Sequence, residues 1–249
     1  MPVKKKTKAP GQGMTAKQMK RRKPISQDYM LPIEPLTENQ KVMWEKWDEG
    51  KMIYAYGVAG TGKTFVALYK ALKEVLDDYT PYEKIYIVRS LVATREIGFL
   101  PGDHEDKSSL YQIPYKNMVQ GMFQMPDDNS YEMLYDNLKA QETISFWSTS
   151  FIRGTTLDNA IVIIDECQNL NFHELDSIIT RVGQDSKIIF CGDAAQTDLL
   201  KNNERTGILD FQRIIQNMDE FSLVEFGIDD IVRSGLVRSY LVSKINLGL

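Results

Sequence analysis

The sequence predicts an α/β protein with a mainly parallel β-sheet that carries helices on both faces. Three observations support this class: strands and helices alternate along the chain, some strands are continuous apolar runs such as "IVII" and "IIF", and a glycine-rich turn joins the first strand to a helix. Alternating strands and helices form right-handed crossovers between parallel strands. Strands that are buried on both faces read as uninterrupted apolar runs. At 249 residues, the chain has room for one full-sized domain.

The individual elements follow in a regular order. The predicted strands are "KMIYAYG", "KIYIVRS", "TISFWS", "NAIVIIDE", "SKIIFCGD" and "FSLVEFG". Apolar residues recur with a helical period in "KTFVALYKALKEVLDD", "FHELDSIITRVG" and "RTGILDFQRIIQNM", and a last helix is predicted in "DIVRSGLVRSYLVSKI". Between about 102 and 148 the pattern is less regular, and two helices around "PDDNS" predict a helical insertion. We expect residues 31–249 to form a single domain with this insertion.

The first 30 residues differ in composition from the rest. Residues 1–23 contain nine Lys or Arg and no acidic residue, which leaves 21 of the 30 basic side chains against all 34 acidic ones. We expect a disordered basic tail at 1–30, because a segment with few apolar side chains cannot bury enough surface to fold alone. Such a tail could contact nucleic-acid phosphates or simply be solvated.

Two further features bound the class of protein. No apolar run is long enough to span a membrane, and the N-terminus lacks the apolar core of a signal peptide, so we expect a cytoplasmic protein without a membrane partner. Cys167 and Cys191 each lie beside an apolar run and predict buried free thiols rather than a disulfide. His104 and His173 lie far apart, and a zinc site is not expected.

A complete G-x-x-x-x-G-K-[ST] motif lies between the first predicted strand and its helix. This pattern is typical of a P-loop, in which backbone N–H groups surround the phosphates of a nucleotide. Lys63 would reach the β- and γ-phosphates, and the Thr64 hydroxyl would bind Mg²⁺. The alternative is a glycine turn without a ligand. The predicted nucleotide-binding residues are Gly57, Val58, Ala59, Gly60, Thr61, Gly62, Lys63 and Thr64.

A second element has the form of a Walker B segment. The apolar strand "AIVIID" ends in Asp165, which can hold Mg²⁺ together with Thr64, and Glu166 can orient or deprotonate an attacking water. Water activation favours a hydrolase over a kinase, because a kinase must exclude water. The sequence contains no N-K-x-D guanine-specificity element, which favours ATP over GTP.

A third element, "IIFCGDAAQTDL", again places a polar turn after a buried strand. Asp193 and Gln196 would lie near the γ-phosphate if this strand neighbours the Walker B strand. The amide of Gln196 could then distinguish a triphosphate from a diphosphate. The alternative is a turn in which both side chains bind local backbone.

These elements together resemble the PhoH-like ATPases of the phosphate-starvation-inducible type. The matching segments are, in order, "GVAGTGKTFVA", "EIGFLPGD", "FIRGTTLDNAIVIIDECQN", "TRVG", "GDAAQTDL" and "DDIVRSGLV". The resemblance extends from about Leu36 to Val242, and the family is similar to the motor core of superfamily 1 helicases. It implies a RecA-like fold, ATP hydrolysis, and RNA or single-stranded nucleic acid as the substrate. The chain departs from the family pattern at Cys167, where alanine is commoner, and at Ser90, where proline is usual.

The resemblance assigns a role to Gln40 that competes with a structural one. "LTENQ" is similar to the helicase Q motif, in which Gln40 would read the adenine edge with its donor and acceptor. However, Thr37 is a plausible helix N-cap, and Gln40 three residues later would complete a capping box. Both roles stay open at this stage.

A chain with one motor lobe has no second lobe to supply an arginine finger to the γ-phosphate. In superfamily 1 helicases a second lobe supplies this group to the γ-phosphate, so we expect it here from a neighbouring subunit. A head-to-tail contact of this kind can close into a ring, and we expect a homohexamer with ATP at the subunit boundary. Arg233 in "DDIVRSG" is the first candidate for the finger, and Arg205 and Arg181 are the alternatives.

The chain also offers groups that could contact a nucleic-acid strand. Arginines at or just past predicted strand ends could face phosphates of ATP or of a strand, and aromatic residues of the insertion could stack on bases, although a place in the core is favoured for them. These residues are Arg89, Arg95, Arg153, Tyr111, Tyr115 and Phe123. An ATPase acting on RNA or single-stranded DNA is the main prediction. The alternatives are a protein-remodelling or switch ATPase, which the acidic body favours, and a small-molecule kinase.

Overall fold

Six parallel strands form the centre of the molecule. The computed structural model describes residues 25–89, 104–152, 154–193 and 202–247. The strands are β1 (Met52–Gly57), β2 (Lys84–Arg89), β3 (Ile144–Ser148), β4 (Ala160–Asp165), β5 (Lys187–Cys191) and β6 (Phe221–Phe226). Their order in the sheet is β3-β2-β4-β5-β1-β6, and each neighbouring pair is parallel. The predicted α/β class is confirmed, and all six predicted strands are present.

Helices connect the strands in the predicted places. In the described part of the chain they are α1 (Glu38–Asp48), α2 (Lys63–Val75), α3 (His104–Gln120), α4 (Asp128–Ala140), α5 (Thr149–Ile152), α6 (Phe172–Ile179), α7 (Asn202–Gln216) and α8 (Gly235–Asn246). The single turn α5 was not predicted. The last predicted helix begins later than expected: a 3-10 helix at Ile228–Asp230 is followed by four residues without helical structure, and α8 begins at Gly235.

The sheet separates two hydrophobic cores. Along β4, Ile161 and Ile163 face the core that contains α2, α3 and α4, whereas Val162 and Ile164 face the core that contains α6 and α7. All six residues of β4 are buried, as expected for a central strand covered on both sides. The prediction of helices on both faces is therefore confirmed.

The predicted insertion is the connection between two neighbouring strands. Helices α3 and α4 lead from β2 to β3, which pairs with β2 in parallel as the edge strand. Residues 144–148 therefore belong to the sheet rather than to an insertion ending at 148. Tyr115 and Phe123 are buried in the core, which is the role that the sequence favoured for them, and Tyr111 is half-buried.

The folded region begins before the predicted boundary at residue 31. Gln27–Tyr29 form a 3-10 helix, and Met30 makes an antiparallel bridge with Phe123. Residues 1–24, which contain the basic segment, lie outside the described residues. No helix in the described ranges combines the length and the apolar character needed to cross a membrane. The thiols of Cys167 and Cys191 are free and buried, as predicted, and burial raises the pKa of both.

Phe190 in β5 provides a test of the core that contains α6 and α7. Its ring is fully buried and lies 5.0 Å from the Phe211 ring. We expect Phe190→Ala to lower the free energy of unfolding by about 3–5 kcal/mol, because it leaves a large cavity. Urea unfolding followed by tryptophan fluorescence measures this loss. The control is Met133→Ala, at a 68% exposed position of α4, for which we expect a change within about 0.5 kcal/mol. A similar, small loss for both variants would contradict the assigned core.

Candidate functional site

A cavity of about 480 Å³ lies at the carboxyl ends of the central strands. Strand β5 pairs with β1 on one side and with β4 on the other. The three predicted elements therefore meet, because β1 leads into the P-loop, β4 ends in the Walker B segment and β5 leads to Asp193. This neighbour relation of β4 and β5 is the condition on which the predicted position of Asp193 depended. Ligands of open parallel sheets bind at this edge.

The P-loop backbone requires glycine at two tightly packed positions. Gly57 has φ 116° and Gly62 has φ 81°. A β-carbon on Gly57 would lie 2.2 Å from the Phe226 carbonyl oxygen, and one on Gly62 would lie 2.9 Å from Gln40 Nε2. Gly62 is also the N-cap of α2 and offers no side-chain acceptor. No side-chain cap therefore occupies the first N–H groups of α2, and helix ends of this kind can bind phosphate.

The Lys63 side chain lies inside the loop. Its Nζ donates hydrogen bonds to the carbonyl oxygens of Val58 at 2.7 Å and Gly57 at 3.2 Å, and to Thr61 Oγ1 at 3.2 Å. The residue is buried, and burial lowers the pKa of its ammonium group. Oxygen atoms already surround this cation, and the phosphate oxygens of a nucleotide can supply the same kind of acceptor.

Thr64 and Asp165 lie in direct contact. Thr64 Oγ1 donates a hydrogen bond of 2.6 Å to Asp165 Oδ1, although the two residues are 101 positions apart. Asp165 ends β4 and is only 8% exposed. Its other oxygen, Oδ2, accepts a 2.6 Å hydrogen bond from the Tyr115 hydroxyl. Hydroxyl and carboxylate oxygens are the ligands that hard divalent cations prefer. The structure thus brings together the two predicted metal-binding residues and adds Tyr115, to which the sequence analysis assigned no part in the metal site.

Glu166 follows in a left-handed backbone conformation with φ 52°. Its Oε2 accepts a 2.6 Å hydrogen bond from Gln168 Nε2, and its Oε1 lies 4.0 Å from Arg89 Nη2. Gln168 Oε1 in turn accepts a 2.9 Å hydrogen bond from the backbone N–H of Asp193. Gln168 was not predicted as a site residue, yet it connects the Walker B segment to the third element. Asp193 is buried and lines the cavity. Gln196 lies outside the described residues.

Gln40 also contacts the P-loop. Its Nε2 donates a 2.8 Å hydrogen bond to the Thr61 carbonyl, and its Oε1 accepts one of 2.8 Å from the Leu36 N–H. Thr37 is the N-cap of α1, as predicted, because its hydroxyl accepts from the Gln40 N–H. The predicted capping box is wrong in its second half, since the Gln40 amide binds Leu36 and the P-loop instead of the Thr37 N–H. Gln40 is 4% exposed and lines the cavity.

Helix α1 is held in place by a second contact, which was not predicted from the sequence. Asn39 Nδ2 donates a 2.7 Å hydrogen bond to Asp230 Oδ2, which also accepts from the Gly227 N–H at 2.8 Å. Burial opposes ionisation of Asp230, yet hydrogen bonds led by the one from Asn39 lower its pKa below the ordinary value. The residues are 191 positions apart, and the only signal in the sequence is that each lies in a family-like motif.

The candidate arginines lie in different places. Arg233 lines the cavity of its own chain, and a β-carbon on Gly60 would lie 3.0 Å from its Cγ. Arg181 lies at the amino ends of the strands, opposite the cavity. Its carbonyl accepts a hydrogen bond from the Leu157 N–H, and these two residues precede β5 and β4, respectively. The side chain of Arg205, the third candidate, lies outside the described residues, as do Arg95 and Arg153.

The cavity has the lining and the backbone geometry of a P-loop, at the carboxyl ends of a parallel sheet with helices on both faces. A protein-family model described as PhoH-like protein matches residues 32–243. The PhoH-like protein of Mycobacterium leprae (strain TN) is 31% identical over 206 residues, which are 82% of this chain and 56% of that relative. The PhoH-like protein of Bacillus subtilis (strain 168) is 33% identical over 199 residues, which are 76% of this chain and 57% of the relative. The chain thus spans a little over half the length of these relatives.

Among solved structures, the large terminase from a thermophilic bacteriophage is similar with a TM-score of 0.49 and 10% identity, over 85% of this chain and 50% of the terminase. The sequence relationship is the stronger of the two comparisons. It extends from α1 into α8 and includes the P-loop, the Walker B segment and the segment "DDIVRSGLV", which contains Asp230. The chain therefore belongs to the PhoH-like family.

Proposed function

We propose that this protein is a cytoplasmic ATPase that couples Mg²⁺-dependent ATP hydrolysis to binding or remodelling of RNA or single-stranded DNA. The observation that carries the proposal is the 2.6 Å hydrogen bond between Thr64 Oγ1 and Asp165 Oδ1. It joins the P-loop hydroxyl to the Walker B carboxylate, with Glu166 next in the chain. Membership in the PhoH-like family supports the same activity.

Thr64 and Asp165 are the residues that would hold Mg²⁺. The residues fit such an ion, because the buried Asp165 carboxylate and the Thr64 hydroxyl place two oxygen ligands side by side, and divalent cations of this kind prefer oxygen ligands. When bound, the ion supplies charge neutralisation for the phosphates. Lys63 and the first N–H groups of α2 would hold the phosphates themselves, and Gln40 would face the adenine base.

Glu166 is the proposed general base. Its carboxylate would orient the attacking water and accept its proton, while Gln168 and Arg89 restrict the directions that the carboxylate can take. Asp193 and Gln196 are proposed to respond to the γ-phosphate. In this arrangement Gln168 would pass such a response to Glu166, because it hydrogen-bonds both Glu166 and the Asp193 backbone.

Glu166→Gln tests the hydrolysis step. We expect ATP turnover to fall by at least about 100-fold, because the amide cannot accept the proton, while ATP binding persists. Phosphate release measures turnover, and calorimetric titration measures binding. Glu142→Gln is the matched control, since Glu142 also has a left-handed backbone, with φ 54°, but is exposed and far from the cavity. Retained turnover in Glu166→Gln would remove Glu166 from its assigned role.

The proposal includes a homohexameric ring with the ATP site near the subunit boundary. An exposed apolar surface beside the P-loop supports a subunit contact there. Helix α8 has no buried residue, and Leu236 is 85% exposed, Tyr240 65% and Val237 51%. Leu241 of the same helix lies close to Gly60. Contiguous apolar side chains at a surface mark interaction sites, and we propose a second copy of the chain as the partner.

The position of each arginine changes its proposed role. Arg233 lies against the P-loop of its own chain, so we propose that it acts on the nucleotide of that chain. Arg181 lies at the amino ends of the strands and cannot reach the P-loop cavity of its own chain. In a head-to-tail ring, this end of one subunit would be free to approach the P-loop of its neighbour. We therefore prefer Arg181 as the arginine finger that acts on a neighbouring subunit, with Arg205 as the alternative.

Mixing inactive variants separates these roles. A Glu166→Gln subunit keeps Arg181, and an Arg181→Ala subunit keeps Glu166. We expect turnover to return when the two variants are mixed, at the interfaces where the first supplies its arginine to the second. In rings assembled at random from equal amounts, these are about a quarter of the interfaces. The mixture of Glu166→Gln with Arg233→Ala should stay inactive, because a group acting within its own chain cannot complement. If turnover returned in the mixture with Arg233→Ala and not in the mixture with Arg181→Ala, the assignment would be reversed. Arg233 would then be the arginine that acts on a neighbouring subunit.

We propose RNA or single-stranded DNA as the substrate on which the ATPase acts, and the basic composition of residues 1–23 supports this choice. We expect RNA or single-stranded DNA to raise the ATP turnover of the full chain several-fold, and we expect this stimulation to decline with added salt as counterion competition increases. Phosphate release with and without each polymer measures the effect. Substantial turnover that no RNA or DNA alters would contradict this part of the proposal and favour a protein substrate.

A further inference from the structure

We propose that Tyr115 is a positioning residue of the nucleotide site, whose hydroxyl orients the Asp165 carboxylate for a divalent cation. The inference rests on the proposed function, because it concerns the same cation. Tyr115 lies in α3, in the connection between β2 and β3, and belongs to none of the six family-like segments. Its part in the site is visible only from the contact between its side chain and the end of β4.

Packing fixes the Tyr115 ring in one place. The residue is 2% exposed, and its ring centroid lies 5.4 Å from that of Phe146 in β3. Pro114 and Met118, on either side of it in α3, line the cavity together with Tyr115. Because the ring is held between the helix and the sheet, the hydroxyl has a defined position at the wall of the cavity.

The two oxygen atoms of Asp165 have different partners. Thr64 donates to Oδ1 and Tyr115 donates to Oδ2, each at 2.6 Å. The bond from Tyr115 fixes the plane of the carboxylate, so Oδ1 stays on the side of the P-loop. Without the Tyr115 hydroxyl, Asp165 Oδ2 would lose its hydrogen-bond donor in a buried place. The carboxylate could then rotate towards a different donor. Groups that orient a metal ligand in this way commonly change metal affinity by about 10- to 100-fold when they are removed.

Arg89 lies beside the same group of side chains. It interacts with Tyr115, and its Nη2 lies 4.0 Å from Glu166 Oε1. Tyr115 therefore contacts Asp165 directly and shares Arg89 as a neighbour with Glu166.

The test replaces Tyr115 by phenylalanine, which keeps the buried ring. We expect Tyr115→Phe to raise the Mg²⁺ concentration that gives half-maximal ATP turnover by about tenfold or more. Turnover at saturating Mg²⁺ should recover most of the loss, which a general folding defect would not do. A second readout needs no turnover: the rise in melting temperature caused by ADP is measured with Mg²⁺ and with EDTA. The Mg²⁺-dependent part of this rise should shrink in Tyr115→Phe, and the part seen in EDTA should not.

The matched control is Tyr135→Phe in α4. Tyr135 is also buried in the same connection, and its hydroxyl has no hydrogen-bond partner among the described residues. We expect this variant to keep the Mg²⁺ dependence of the wild type. Equal Mg²⁺ dependence in Tyr115→Phe and Tyr135→Phe would overturn the inference while leaving the proposed ATPase intact. A wild-type protein that ADP does not stabilise, with or without Mg²⁺, would overturn the proposed function and this inference with it.

Discussion

The buried carboxylate of Asp165 constrains the geometry of the whole site. Its burial carries a desolvation cost that only good partners offset, and the two partners described above are neutral hydroxyl groups. One hydroxyl comes from α2 and the other from α3, so a single side chain of β4 fixes the P-loop helix and the β2–β3 connection relative to the sheet. A divalent cation bound to this carboxylate would balance the charge that the hydroxyls leave. The proposed metal binding and the packing of these elements therefore depend on the same few atoms.

The backbone next to Asp165 adds a second constraint. Glu166 has φ 52°, a left-handed conformation that costs a non-glycine residue roughly 1–2 kcal/mol. Such strain persists only where the surrounding structure enforces it, and it clusters at functional sites. The side chain that this backbone carries is held by two contacts: the Gln168 amide donates to the Glu166 carboxylate, and the Asp193 N–H donates to Gln168 Oε1. The direction of the proposed general base is thus set by β5 as well as by β4, and a change at the end of β5 would alter it.

How much the sequence could predict depended on the range of each interaction. The P-loop, the Walker B segment and the alternation of strands and helices are local patterns, and all were recognised. The contact between Tyr115 and Asp165 was not, because the two residues are 50 positions apart and nothing in "YQIPYKN" distinguishes a tyrosine that lines the cavity from one in the core. The capping box at Gln40 was wrong in its second half for the same reason. Local spacing favoured the Thr37 N–H as the partner, but a carbonyl of the distant P-loop competed for the same amide.

The P-loop is held from the C-terminal side of the fold as well as from β1. The Val58 N–H donates to the Phe226 carbonyl at 2.9 Å, and the Val232 N–H donates to the Gly60 carbonyl at 3.1 Å. These bonds tie the loop to β6 and to the segment that leads into α8. A rearrangement of Gly60 on nucleotide binding would therefore act on Val232, and through it on the helix whose apolar face we assign to the subunit contact. Contiguous contacts of this kind can carry coupling between distant parts of a protein. Here the hydrogen bond from Val232 to Gly60 and the short segment from Val232 to α8 form such a connection.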